Sequence, residues 1–172
     1  MWLERTVVPD EEREQWTWTP LKSVGPLRFG QTVEEVAAAL QEPTSGRDPR
    51  EQWVPFSSLG VDTYYRSEDW TLAAVAIDAC HGPQISFGEV RLVGRLPSEL
   101  TPWLEAGADT HEGRLRFGLN GEAGLPGLGL VMRCQQNGDF TRTRPVMVAP
   151  EWADMSVDSW EGPLPSREWL VY

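Results

Sequence analysis

The stretch Arg28–Pro43, RFGQTVEEVAAALQEP, places Gly30 shortly before two adjacent carboxylates, Glu34 and Glu35. A glycine ahead of a helix is one part of a phosphate-binding loop, but such loops use several glycines and often a lysine, so that backbone N–H groups can approach the oxygens. One glycine without a lysine reads instead as a turn. Neighbouring residues on a helix project about 100° apart, so Glu34 and Glu35 do not face each other as the two carboxyls of a hydrolase do. Glu35 stands three residues after Thr32, the spacing of a capping box, and Glu34 suits the positive end of a helix dipole.

Nucleophilic and metal chemistry find no better footing. His81 and His111 are the only histidines, and Cys80 and Cys134 the only cysteines. They are too few and too scattered for a zinc ligand set, which needs several donors that converge. No serine sits in a GxSxG elbow, and a Cys–His pair would have to be assembled entirely by the fold. The expectation is a protein without catalytic residues, cofactor or metal.

Tryptophan is the anomaly. Nine occur, at 2, 16, 18, 53, 70, 103, 152, 160 and 169, and many lie among acids: EQWTWT, SEDW, PEWADM, DSWEG, SREW. An indole fills a pocket on a partner while flanking carboxylates select a basic rim. Residues 151–161 are therefore the expected partner-binding surface. Trp152 and Trp160 would be its anchors, Glu151, Asp154, Asp158 and Glu161 its charges, and Trp16 and Trp18 would add to it from the other end. Trp beside acids can also stack on sugars, so a carbohydrate-binding or carbohydrate-cleaving domain is the alternative.

Charge supports a protein partner. The chain carries 26 acids and 15 bases, a net −11, and residues 1–20 (five acids, two bases) with 149–172 (five acids, one base) hold −7 of it. A surface of that sign repels nucleic acid and anionic membranes but is steered quickly onto a basic protein. No run approaches the length of a membrane span, and the start lacks the apolar core of an export signal. Two cysteines fit a reducing compartment, so a cytoplasmic protein is expected.

The elements that must position these residues are short. At 172 residues the chain reads as a single domain, with halves at 21–80 and 85–150 and Trp-rich acidic ends at 1–20 and 151–172. Residues 2–8 and the alternating WTWT read as strands. Val33, Val36, Ala37 and Leu40 form the stripe of a helix with one buried face, stopped by Pro43. VDTYY and WTLAAVAIDA read as strands, the second apolar enough to be central. A second helix follows Pro97, with a stripe of Leu96, Leu100, Trp103 and Leu104, and Pro102 predicts that it is short or bent. RLRFGL, LGLVMRCQ and RTRPVMVAP read as later strands, with Leu128, Leu130, Met132 and Cys134 on one face. Gly30–Leu40 and Gly94–Leu104 align without gaps at Gly30/Gly94, Glu35/Glu99, Val36/Leu100 and Leu40/Leu104, which suggests a tandem duplication of a helix-plus-strands unit. The predicted class is α+β, two short helices on an antiparallel sheet.

Gly30, Thr32, Glu35, Val36, Leu40 and Pro43 resemble the strand-Gly-x-Thr-helix-Pro unit of the β-lactamase-inhibitor proteins and of small outer-membrane assembly lipoproteins. In the inhibitors that unit occurs twice, each packed on a four-stranded antiparallel sheet. The chain departs from both families: it lacks the inhibitors' paired cysteines and export signal and the lipoproteins' anchoring cysteine, so β-lactamase inhibition does not carry over, and an assembly role is the third reading. In general character, an acidic domain with GPLRFG near the front, GLGLVMR and a Trp-rich end, it is similar to bacterial immunity proteins that neutralise polymorphic toxins. That resemblance implies a non-enzymatic inhibitor whose cognate partner is a basic toxin domain, blocked at its active cleft.

Overall fold

The computed structural model describes residues 4–44, 47–48, 50–110 and 114–172. In chain order its elements are β1 (Gln15–Thr19), β2 (Ser23–Val24), β3 (Leu27–Arg28), α1 (Val33–Leu40), β4 (Trp53–Phe56), β5 (Val61–Tyr65), β6 (Leu72–Ile77), β7 (Gln84–Phe87), β8 (Val90–Arg91), α2 (Pro97–Thr110), β9 (Arg116–Phe117), β10 (Ala123–Leu125), β11 (Leu130–Asn137), β12 (Phe140–Val148), α3 (Pro150–Ala153) and α4 (Ser166–Trp169). The class is α+β, with two sheets rather than one. A seven-stranded sheet runs β4-β5-β6-β12-β11-β10-β9 and a five-stranded one β3-β2-β1-β7-β8. All neighbours are antiparallel except β1 and β7, which run parallel with Trp16 opposite Ile85. No strand covers the described part of 2–8; there Val8 N–H donates to the Cys80 carbonyl at 2.8 Å.

Helix α1 forms as its sequence dictates. Gly30 takes a positive φ of 94°, a conformation open to glycine, and the chain then enters the helix through Thr32. The Thr32 hydroxyl accepts from Glu35 N–H at 3.3 Å, and the Glu35 carboxylate accepts from Thr32 N–H at 2.8 Å. Val33 and Val36 are buried. At the second site Glu99 repeats half of this box, accepting from Leu96 N–H at 3.0 Å. Leu96 itself precedes the helix and is exposed, so it leaves the predicted stripe, while Leu100 and Leu104 are buried. Helix α2 is not short. It continues past Pro102 to Thr110, because a proline removes one intrahelical hydrogen bond while burial of Leu100 and Leu104 holds the turns on either side.

The order of elements repeats. A hairpin (β2–β3, then β7–β8) leads into a helix, and each helix is followed by an antiparallel meander, three strands β4–β5–β6 after α1 and four strands β9–β10–β11–β12 after α2. The two meanders join through their last strands, with Val146, Met147 and Val148 opposite Ala76, Val75 and Ala74.

Both faces of the large sheet are covered, and this explains why all six residues of β6 are buried. One face carries the larger aliphatics, among them Leu72, Val75, Ile77, Leu130, Met132 and Met147, packed with α1, α2 and the small sheet. Trp16 and Trp18 belong to this core, and Phe87 links Trp18 to Trp103 with ring centroids 5.1 and 5.9 Å apart. The other face is built on small residues, Ala73, Ala74 and Ala76 with Val146 and Val148. These leave room for Trp152, Val157, Leu164 and Trp169 of the C-terminal segment to lie across it.

That second face also holds a buried ionic cluster that ties the segment down. Glu168 of α4 is fully buried. Its carboxylate accepts from Arg144 Nε and Nη2, both at 2.8 Å, from Arg133 Nη1 at 3.1 Å and from the Tyr64 hydroxyl at 2.5 Å. Arg144 also donates to Asp62 at 2.8 Å, and Arg133 donates to the Glu168 and Val171 carbonyls. Burial alone would raise the Glu168 carboxyl, but the charge and hydrogen bonds of Arg144, with Arg133 and Tyr64, outweigh it and hold it below the ordinary carboxylate range. Burial and the Glu168 carboxylate together push the Tyr64 hydroxyl far upward, so it stays a donor.

Candidate binding groove

At the β9 edge of the large sheet, two stretches of chain leave a groove of about 760 Å³. One wall is Arg116–Leu119, the edge strand and the turn after it; the other is Asp154–Glu161. Gly124 in β10 lets the second wall approach the sheet: a Cβ there would lie 2.1 Å from Val157 Cγ1. Arg116 Nη1 bridges the walls by donating to the Asp154 carbonyl at 3.0 Å. Asp158 shapes the turn beyond, its Oδ1 accepting from Trp160 N–H at 2.9 Å and Glu161 N–H at 3.0 Å. These bonds, that from Glu161 first, hold the Asp158 carboxyl below its ordinary value, so it acts as a fixed anion and turn-former rather than a proton donor.

The groove concentrates exposed apolar surface. Trp160 is 83% exposed, Leu119 75%, Phe117 66% and Met155 46%, and all four line it. They are four of the nine large apolar side chains left exposed among the described residues. Scattered single residues of this kind are ordinary, but a contiguous patch rimmed by polar groups marks a binding surface. Its lining charges are Asp154, Asp158 and Glu161 against Arg116, a surplus of carboxylate.

Of the residues expected to bind a partner, Trp160, Asp154, Asp158 and Glu161 are brought together here. Glu151 is exposed but lies elsewhere, beside Leu21 and Lys22 and 3.6 Å from Arg66. Three expectations are corrected. Trp152 is buried on the alanine-rich face of the large sheet, and Trp16 and Trp18 point from alternate positions of β1 into the main core. None of the three can reach a partner, because the sheets they cover would otherwise expose apolar faces to water. Phe117, Leu119 and Met155 were missed. The alternation of Phe117 and Leu119 was visible, but alternation predicts a strand without saying that it sits at an unpaired sheet edge.

The chemistry-bearing residues lie elsewhere. His81 Nδ1 is 2.9 Å from Asp78 Oδ1, and Nε2 is 3.2 Å from the Ser57 carbonyl. Burial pushes the Cys80 and Cys134 thiols up, which disfavours the thiolate that nucleophilic chemistry needs. His111 lies outside the described residues. Among the described residues no three His, Cys, Asp or Glu side chains converge to hold a metal ion, and no helix is long and apolar enough to cross a membrane. No protein-family model, curated protein or solved structure matches the chain, so a functional reading rests on the groove itself.

Proposed function

We propose that the chain is a non-enzymatic, protein-binding inhibitor of the immunity type, which occludes the active cleft of a basic toxin domain through the groove between Arg116–Leu119 and Asp154–Glu161. The observation that carries this reading is the coincidence of Trp160, Phe117, Leu119 and Met155, all exposed, with Asp154, Asp158 and Glu161 in one concavity. A projecting indole with adjacent apolar area supplies the desolvated centre of an interface, and the carboxylates select a cationic surface around it. The net charge of −11 favours fast encounter with a basic partner, disfavours nucleic acid and anionic membranes, and suits a stoichiometric inhibitor working in the cytoplasm.

The test is to produce the protein encoded beside this gene, alone and together with the chain. The expected result is toxicity alone, protection and a stable complex when paired, and a markedly weakened complex in Trp160→Ala and Leu119→Ala. No toxicity and no complex would reject the reading. The carbohydrate alternative keeps one observation in its favour, the exposed Trp160 ring beside carboxylates. Hits on a glycan array that vanish in Trp160→Ala would replace the inhibitor reading with that one.

A further inference from the structure

A second concavity, of about 420 Å³, lies where residues 7–13, the approach to α2 and the start of β12 meet. Its walls reverse the charge of the molecule. Four guanidinium groups line it, Arg13, Arg91, Arg95 and Arg142, against the carboxylates of Asp10, Glu11 and Glu99, in a chain whose acids outnumber its bases by 26 to 15.

The carboxylates are largely committed. Asp10 alone serves Arg95, Arg91 at 3.3 Å and Gln84 at 2.8 Å. Glu99 is turned back onto Leu96 N–H, and Glu11 is exposed and paired with none of the four arginines. Arg13 is also spent, donating to the carbonyls of Val8, Gly82, Ala79 and Cys80. Arg142 is different. It makes no ion pair among the described residues, its Nη1 donates to the Gly94 carbonyl at 3.0 Å, and its Nε is buried without a hydrogen-bond partner. Its Nη2 makes no hydrogen bond among the described residues, so it can donate to an acceptor that enters the cavity. Arg91, with its side chain 55% exposed, and Arg95 have further N–H groups beyond those given to Asp10. Leu96 and Phe140, both exposed, line the same space.

We propose that this concavity binds a phosphate-type oxyanion, held by Arg91, Arg95 and Arg142, with Leu96 and Phe140 offering an apolar wall to the group esterified to it. A phosphate presents several oxygens to donors arriving from different directions, which suits guanidiniums supplied by separate segments. A single carboxylate satisfies fewer of them, and Asp10 already fills that role. The site is independent of the groove at β9, and either can stand without the other.

Titration calorimetry of the whole chain at constant ionic strength tests it, with inorganic phosphate, phenyl phosphate and benzoate as probes. Saturable one-to-one binding of phosphate is expected in the millimolar range or tighter, with phenyl phosphate binding several-fold better. Arg142→Gln and Arg91→Gln should each weaken phosphate about tenfold, the effect of one lost charged contact. Phe140→Ala should abolish the preference for phenyl phosphate over inorganic phosphate. Thermal unfolding reports whether each variant is folded; Arg91 is exposed enough for its substitution to carry the test if Arg142→Gln does not fold. No saturable heat up to about 20 mM phosphate, far above a millimolar dissociation constant, would overturn the proposal. So would unchanged phosphate affinity in a folded Arg91→Gln or Arg142→Gln variant, or benzoate binding as tightly as phenyl phosphate.

Discussion

Glu168 allows the sharpest test of how the C-terminal segment is held. Its carboxylate takes four hydrogen bonds, two from Arg144 at 2.8 Å, one from Arg133 at 3.1 Å and one from Tyr64 at 2.5 Å. Replacing it by Ala leaves two buried guanidiniums, of which Arg144 keeps only Asp62, at 2.8 Å. Removing one partner of a buried ion pair costs about 3–5 kcal/mol. In a chain of this size each kcal/mol lowers Tm by about 2–4 °C, so Glu168→Ala should unfold about 6–20 °C earlier. Urea unfolding followed by tryptophan fluorescence measures the free energy directly. Glu168→Gln keeps the shape and removes the charge, which isolates the electrostatic part. Because the folded carboxyl titrates below its ordinary value of 4.5, its contribution is whole above that pH and is lost as pH falls through the folded value. The gap between the native chain and Glu168→Gln should therefore be wide at neutral pH and shrink in acid. A loss under about 1 kcal/mol in Glu168→Ala, less than one charged hydrogen bond, would refute this account of the cluster, as would a native-minus-Gln difference that is the same at about pH 7 and about pH 3.

Other substitutions probe the groove and the helix entry. Trp160→Ala should change stability by no more than about 0.5 kcal/mol, while weakening the proposed partner by about 2 kcal/mol, near 30-fold, in a surface-binding assay. Trp152→Ala should do the opposite, losing about 3–5 kcal/mol in urea unfolding because it empties a core site. Gly124→Ala drives a methyl to within 2.1 Å of Val157; it should cost about 1–3 kcal/mol and alter Trp160 quenching by iodide as the wall is displaced. Thr32→Ala should cost about 1 kcal/mol of stability, largely restored by Thr32→Ser, since only the hydroxyl cap is removed.

Much of the fold was legible wherever local physics decides. The Thr32–Glu35 box, the Val33/Val36 stripe and the fully apolar β6 follow from spacing alone, because capping and burial on one or two faces leave direct traces in residue order. The second helix was legible in place but not in length, since Pro102 is outweighed by burial of Leu100 and Leu104, which no local rule weighs. The groove was half legible: Asp154, Asp158, Trp160 and Glu161 fall within eight residues of one another, whereas Phe117 and Leu119 arrive from an edge strand and the turn after it, some 40 residues earlier.

The sequence by itself determined where the two longer helices and most strands of the large sheet lie, the acidity of both ends, and the stretch where an exposed tryptophan among acids would be found. Only tertiary structure decided which tryptophans are exposed. Trp152 and Trp160 each stand between two acids, yet one covers Ala73, Ala74 and Ala76 and the other stands in water. The difference arises because Glu168 finds Arg144 and Arg133 across the sheet and fixes the path of the segment between them. That pairing spans distant parts of the chain, and its strength depends on burial that residue order does not encode.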